Sequence, residues 1–373
     1  MIKLFFILIF TLFAYSKEYL YLHIPSNLPS QKVNTTFGKE LIALIDNSKD
    51  TIFFAIYGLR GQNDVLEALL NAKKRGIKIK GVVDSDSKGK NYYSDTHLLY
   101  EYFDIVTDNK SYIMHNKFFV FDKSIVWSGS SNISDTGTGG YNANNSMVIE
   151  DKKIASIYLK EFYQMYDGKF GIWKEENSYK NIKTDESTIS IYFSPKSKTY
   201  DKAIKELIQN AKEYIYIPIF YLTHKDLSNE LIKAHKRGVE IKIILDASAA
   251  RNKYSMHKVL RENDIQVKVE NFGGKMHAKS IIIDDKYFVS GSMNLTKAGN
   301  IRNDENTIIV KNEKLAVNYK EYFLTLWNSI PDKYLNKDPN PESFESGNSC
   351  RDGLDNDFDK TVDSKDRMCF KIN

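Results

Sequence analysis

The sequence predicts an α/β fold, duplicated within a single chain of 373 residues. Three observations carry that expectation. A long internal repeat relates the two halves. Ala72-Lys-Lys-Arg-Gly76-Ile-Lys-Ile-Lys80, leading to Val82-Val-Asp84, returns as Ala234-His-Lys-Arg-Gly238-Val-Glu-Ile-Lys242, leading to Ile244-Leu-Asp246. A repeat of this size marks a duplicated domain rather than a solenoid. Within each half, segments of helical period alternate with short β-branched and aromatic runs, which favours a largely parallel sheet covered on both faces. The length also suffices for two domains, each with its own core.

Residues 1–16 read as a secretory signal, with Lys3 as the basic region, an apolar run over residues 4–13, and small residues around Ser16. The run is shorter than the ~20 residues of a spanning helix. The expected outcome is cleavage near Ser16 and an exported protein, periplasmic or secreted. Residues 17–170 form the expected first domain. There, residues 37–48 and 64–75 have helical spacing, and Gly76 sits where a helix stops. Residues 51–57, 77–83, 117–121 and 125–127 read as strands, and residues 151–166 as a closing helix. A polar stretch at residues 168–186 is the expected boundary. The second domain, residues 186–330, repeats the scheme. Its helices fall at residues 202–210, 227–237 and 313–328, and its strands at 241–245 and 280–283. An acidic tail, residues 345–373, completes the chain.

Apolar residues at 42% and charged residues at 27% give a globular balance. The net charge of +5 is unevenly spread, because acidic residues outnumber basic ones ten to seven from Pro331 onward. A mildly basic body suits an anionic substrate, phospholipid or nucleic acid, without choosing between them. Both cysteines, Cys350 and Cys369, lie in the tail, where export favours a disulfide. Neither half contains a cysteine, which excludes thiol catalysis and thiolate metal sites there.

The chemistry is concentrated in a second layer of the repeat. His115-Asn-Lys117, Asp122, Gly129-Ser130 and Asn132 recur as His277-Ala-Lys279, Asp284, Gly291-Ser292 and Asn294, at the same internal spacing. Alternation on a buried strand puts each histidine and its lysine on one face, so both reach one phosphate. The Gly-Ser turn permits close backbone approach, and the asparagine amide donates to a phosphoryl oxygen. Two imidazoles allow a two-step displacement, one attacking phosphorus while the other protonates the leaving alcohol. Lysine and asparagine donors stabilise the charge that builds on the oxygens, so no cofactor or metal is expected for catalysis. Asp122 and Asp284 join the candidate catalytic set, although their strand-end positions suit a structural salt bridge equally. His23, His97, His224, His235 and His257 lack this context and are expected to be surface or packing residues.

These residues resemble the phospholipase D superfamily, whose signature is H-x-K-x4-D-x6-G-S-x-N. The resemblance covers roughly residues 34–328. It implies two α/β/α sandwich domains related by a pseudo-two-fold axis, one active site at their interface, and a phosphohistidine intermediate. His115, Lys117 and Asn132 would face His277, Lys279 and Asn294, with His115 as nucleophile and His277 as acid. An acidic residue that holds a histidine by its other ring nitrogen is matched by Glu305 in the second half, whereas the first half has Asn144. An amide orients an imidazole without stabilising imidazolium as a carboxylate does. Which histidine Glu305 touches is left open by the sequence. The glycine-rich loop at residues 135–141 is expected to be mobile at the site mouth. The implied enzyme is a phosphoric diester hydrolase acting on phospholipid headgroups, with a nuclease as the alternative. It is expected to be a monomer with peripheral membrane contact.

Within the tail, counting Asp355 as position one, carboxylates fall at one, three, five, nine and twelve: Asp355, Asp357, Asp359, Asp363 and Asp366. That is the oxygen-ligand spacing of a twelve-residue calcium loop. Lys360 at the glycine position and Asp366 at the glutamate position depart from it. The expectation is a structural calcium site, set against an acidic tail closed by a disulfide.

Overall fold

A computed structural model of the chain describes residues 16–87 and 92–370. Nearly all of the expected signal, residues 1–15, lies outside the described residues. Two large mixed sheets form the framework. The first has seven strands in the order Lys17–His23, Asn144–Glu150, Ile125–Gly129, Phe118–Phe121, Thr51–Ile56, Lys78–Val83 and Asp104–Thr107. The second has eight, running Ser178–Lys183, Thr188–Ser194, Glu305–Lys311, Tyr287–Gly291, Ile281–Ile283, Tyr214–Ile219, Glu240–Leu245 and Gln266–Val269. From the third strand of the second sheet onward the order matches the first sheet from its second strand, as the repeat requires.

The expectation of largely parallel sheets is corrected. Only the three strands at one end of each sheet, Thr51–Ile56 through Asp104–Thr107 and Tyr214–Ile219 through Gln266–Val269, pair in parallel. Among the described residues, every other pairing within these two sheets is antiparallel. The reason is local: Phe118–Phe121 returns to Ile125–Gly129 through a tight turn instead of a crossover helix. Asp122 and Lys123 there have φ of 48° and 56°, and Asp284 and Asp285 repeat the turn at 54° and 48°. Two successive left-handed residues make the turn whose twist suits a hairpin, and aspartate tolerates that conformation better than most residues.

Helices cover the sheets where the 3.6-residue period places them. Thr36–Asn47 starts where the Thr35 hydroxyl accepts the Gly38 N–H at 3.0 Å, and it buries Phe37, Leu41 and Ile45. The closing helices Lys152–Tyr166 and Glu313–Ser329 are capped in the same way by Asp151 and Asn312. The expected core of each domain is present as the outer core of each half, and a further, inner core is common to both. It joins Phe53, Phe118 and Phe162 to Phe193, Phe288 and Phe323, so the two sheets fold against one apolar layer.

The polar stretch at the expected boundary is structurally occupied. Lys174 is buried there between Glu161 and Asp304, and Ser178–Lys183 adds a strand to the second sheet. Cys350 and Cys369 are disulfide-bonded, with their Cα atoms 5.5 Å apart. Among the described residues, no helix is long and apolar enough to cross a membrane.

Candidate active site

Each motif enters the site as the lead-in to a buried strand, and each is held by the opposite half. The His115 N–H donates to the Asp304 carbonyl at 2.8 Å, and the His277 N–H donates to the Ala143 carbonyl at 3.0 Å. One residue further on, the side chains repeat the exchange. His115 Nδ1 lies 2.8 Å from Glu305 Oε2, and His277 Nδ1 lies 3.1 Å from Asn144 Oδ1. The question left open by the sequence is thereby answered: Glu305 belongs to His115, and the amide belongs to His277.

The motif serines fix these partners. The Ser292 hydroxyl donates to Glu305 Oε2 at 2.5 Å, and the Ser130 hydroxyl donates to Asn144 Oδ1 at 2.8 Å. The motif glycines make room for the strand that carries them. A Cβ on Gly129 would sit 2.2 Å from the Asn145 carbonyl oxygen, and one on Gly291 would sit 2.2 Å from that of Asn306. Asn306 bridges the halves from the second side, accepting the Lys117 N–H at 2.9 Å and donating to the Ser128 hydroxyl at 2.8 Å. Asn145 answers with hydrogen bonds to Ser280 and Ser290.

The lysines complete the cluster. Lys117 Nζ donates to the His115 carbonyl at 2.9 Å, and Lys279 Nζ donates to that of His277. Tyr57 flanks His115 at 6.0 Å between ring centroids, and Phe220 flanks His277 at 5.2 Å. Asn132 donates to the Tyr93 hydroxyl at 2.6 Å, while the Asn294 carbonyl accepts the Tyr221 N–H at 3.2 Å, which leaves its amide hydrogens without an acceptor among the described residues.

Electrostatics separates the two imidazoles. Burial lowers the basicity of His115, and the Glu305 carboxylate opposes that fall. Burial also pushes His277 well below the usual histidine value, and the neighbouring Lys279, Lys117, His115 and Lys275 add to the effect. Burial works against the Glu305 charge, yet His115 and Lys117 together hold its carboxyl below the usual range. Burial brings Lys117 down to about 7 and Lys279 well below its usual value. Desolvated basic groups crowded around one space take up protons, and so positive charge, as a phosphate dianion or diester enters.

Asp122 and Asp284, expected in the catalytic set, are not in this cluster. They lie at the far ends of the motif strands. Asp122 accepts the N–H groups of Lys49, Asp50 and Thr51 at 2.8–3.0 Å, and Asp284 accepts those of Lys212, Glu213 and Tyr214 at 2.8–3.0 Å. Their work is to pin one strand start to the neighbouring hairpin. The sequence also missed two buried acids that do position the site. Asp84 accepts the Met114 N–H at 2.8 Å and Asp246 accepts the Met276 N–H at 3.1 Å, one residue before each histidine. Burial, with Asp108 adding to it, raises the Asp84 carboxyl to about 7. Both aspartates end a copy of the repeat, a signal that was visible in the sequence.

The loop at residues 135–141, expected to be mobile at the site mouth, is packed into the protein. It is buried throughout, with Arg60 paired to Asp135 at 3.2 Å and Gly139 and Gly140 bonded back into the loop. In the tail, two carboxylate groups converge: Glu342 with Asp355 and Asp357, and Asp357 with Asp359 and Asp366. Asp363, expected as a ligand, turns away to accept the N–H groups of Asp352 and Gly353 at 3.1 Å. Glu342, not foreseen, takes part instead.

A mixed α/β framework that brings two H-x-K motifs face to face across a duplication defines a class of phosphodiester-processing proteins. The chain matches the family described as "Cardiolipin synthase, PLD-like domain" over residues 41–166 and again over residues 204–327. It belongs to this phospholipase D-like family and is a phosphoric diester hydrolase of that type. It is 36% identical over 139 residues to the phospholipase D of Rickettsia bellii (strain RML369-C), covering 37% of this chain and 69% of that protein. It is 29% identical over 122 residues to the mitochondrial cardiolipin hydrolase of Chlamydomonas reinhardtii, covering 33% and 55%. Among solved structures, the phosphatidylserine synthase of Haemophilus influenzae Rd KW20 shares the fold, with a TM-score of 0.60 over 80% of this chain and 89% of that one, at 15% identity.

Proposed function

We propose that this chain is an exported hydrolase of phospholipid headgroup diesters that works through a phosphohistidine and needs no metal at the catalytic site. The observation that carries the reading is the crossed pairing of His115 with Glu305 and His277 with Asn144. His115 Nε2 attacks phosphorus, and the bond from phosphorus to the leaving oxygen breaks. His277 gives its proton to that oxygen, releasing the alcohol. Water then attacks the phosphohistidine, passes a proton to His277, and releases the phosphomonoester and free His115.

The unequal partners suit unequal roles. A phosphorylated imidazole that keeps its Nδ1 proton is cationic, and the Glu305 carboxylate stabilises that cation. His277, backed by an amide and surrounded by lysines, gives up a proton readily once an anionic substrate has allowed it to take one on. The lysine ammonium groups and the Asn294 amide supply the donors for the phosphoryl oxygens.

Export is supported by the disulfide, since such bonds persist in oxidising compartments. A monomer is supported by the presence of both motifs in one chain, and peripheral membrane contact follows from a lipid substrate. A structural calcium in the tail is supported by the convergence of Asp355, Asp357, Asp359 and Asp366 with Glu342. The nuclease reading is favoured by one feature, the rings of Tyr57, Tyr93 and Phe220 around the pocket, which offer faces for bases. The deciding assay presents the mature protein with phosphatidylcholine vesicles, cardiolipin and single-stranded DNA side by side. Headgroup release is expected; strand cleavage with untouched lipid would reverse the choice.

A further inference from the structure

The catalytic pocket encloses about 650 Å³, and one of its walls comes from the disulfide-closed tail. On the first-half side it is lined by Tyr57, Tyr93 and Asn132, and on the second-half side by Phe220, Lys275 and His277. The remaining side is the backbone and side chains of Gly353, Leu354, Asp355, Asn356 and Phe358. Nothing in the duplicated halves requires this segment, which has no counterpart in the repeat.

The wall is built in at several points. The Tyr141 hydroxyl donates to Asp352 at 2.6 Å, Arg251 pairs with Asp357, and Asn348 donates to the Asn27 carbonyl at 3.1 Å. The Gly273-Gly274 pair just before the second motif lets the tail and Tyr141 come in. A Cβ at Gly273 would lie 2.2 Å from the Tyr141 hydroxyl, and one at Gly274 would lie 1.9 Å from the Tyr141 carbonyl. Gly347 of the tail, at φ +48°, approaches Gly273 so closely that its Cβ would lie 2.5 Å from the Gly273 nitrogen. The disulfide between Cys350 and Cys369 closes the loop that bears Asp352 and Asp357, while Gly347 and Asn348 anchor the segment just before it.

At the wall's inner face, Lys275 lies between two rings, its ammonium 4.0 Å from the Phe358 centroid and 5.5 Å from that of Phe220. Among the described residues it has no ion-pair partner. Phe358 is nevertheless 60% exposed, so the ring is held over the mouth and not sunk in a core. A nucleic-acid strand crossing an active site needs a track open at both ends and positive along its length. Here one exit is crossed by peptide, and the crossing segment carries Asp352, Asp355 and Asp357.

We propose that the Cys350–Cys369 loop is the selectivity wall of this enzyme: Leu354 to Phe358 close one end of the pocket, admitting a diester headgroup end-on and excluding a polynucleotide that must run through. The proposal rests on the phosphodiesterase reading above and names the substrate geometry of that same site. Phe358 and Leu354 are thus specificity-determining residues outside both motifs.

The test uses the full mature chain as wild type, Phe358→Ala, and the double variant Leu354→Ala with Phe358→Ala. Melting curves and thiol counts establish that each variant is folded and disulfide-bonded. Each is assayed on bis(4-nitrophenyl) phosphate, phosphatidylcholine vesicles and single-stranded DNA. The expected result is a rise of about tenfold or more in the ratio of DNA cleavage to small-diester cleavage, larger in the double variant. A ratio that stays within about twofold of wild type in both variants overturns the wall, as does a wild type that cleaves DNA as fast as the small diester. A wild type inert on all three substrates instead overturns the proposed reaction, and the wall with it, so the two failures are distinguishable.

Discussion

Glu305 reaches across the duplication to His115, with Oε2 2.8 Å from Nδ1, while the equivalent position in the first half offers His277 only the Asn144 amide. Two histidines related by a repeat are thereby made chemically different. Burial lowers both, and the carboxylate offsets that fall for His115 alone. Replacing Glu305 with Gln removes the influence that raises His115, so the imidazole should titrate at a lower pH than in wild type. Ring NMR of labelled histidine reads that shift directly. Turnover should fall by roughly 10²–10³, the scale of losing one preorganised electrostatic partner. An unmoved His115 titration would show that the pairing has no energetic weight.

The division of labour between the histidines makes a sharper prediction. His115→Ala and His277→Ala should each cut hydrolysis of a phospholipid by about 10⁴ or more. A 4-nitrophenyl diester distinguishes them, because its leaving group departs without a proton. His277→Ala should then still release about one equivalent of 4-nitrophenol per enzyme in a burst and stall at the phosphohistidine, whose hydrolysis needs His277 as base, and His115→Ala should release none. The reverse pattern would exchange nucleophile and acid.

Asp122 tests the correction to the catalytic set. Its carboxylate holds three backbone N–H groups at a strand start, well away from the imidazoles. Asp122→Ala should destabilise the fold by about 1–2 kcal/mol in urea titration. Turnover at saturating substrate should stay within roughly threefold of wild type. A drop of several orders with unchanged stability would return Asp122 to the chemistry.

The catalytic side chains were legible because phosphoryl chemistry demands particular groups at fixed spacing, and the repeat displayed them twice. Which half supplies the partner of each histidine was not legible, since it depends on how the strands Asn144–Glu150 and Glu305–Lys311 meet the opposite motif. Strand polarity failed for a local reason: the left-handed turns at Asp122–Lys123 and Asp284–Asp285 make hairpins where a parallel crossover was expected. The edge strand Lys17–His23 lacks a clean alternation, being half-buried along most of its length. The glycines of residues 135–141 suggested mobility, but they serve close packing. A Cβ at Gly137 or Gly139 would lie within 2.1 Å of a carbonyl oxygen. The tail's place in the pocket wall rests on contacts such as Tyr141 with Asp352, and no periodicity announces those.

The calcium reading of the tail predicts a concentration-dependent stabilisation. Burial, with Asp366 and Asp357 adding to it, holds the Glu342 carboxyl up at about 7, a crowding that a bound dication would relieve. Calcium at about 1 mM should raise the melting temperature of the intact protein, and calorimetry should give a dissociation constant within the extracellular range of ~10⁻⁴–10⁻³ M. Asp357→Asn together with Asp359→Asn should abolish both effects. No heat and no shift at millimolar calcium would leave the tail as a disulfide-closed acidic loop.

Lys174 makes the last prediction, because it joins the linker between the halves to the site itself. Its ammonium is buried between Glu161 on the closing helix of the first half and Asp304, 2.7 Å away, in the second. Asp304 also accepts the Gly171 N–H through its carboxylate and the His115 N–H through its carbonyl. Lys174→Met would strand two buried carboxylates without a cation. The expected loss is about 3–5 kcal/mol of unfolding free energy, since removing one member of a buried ionic cluster leaves the others uncompensated. Adding Glu161→Gln and Asp304→Asn to the same variant should recover most of that loss, because neutral amides tolerate burial far better than lone charges. If Lys174→Met alone unfolds within about 1 kcal/mol of wild type, the cluster does not hold the linker against the site.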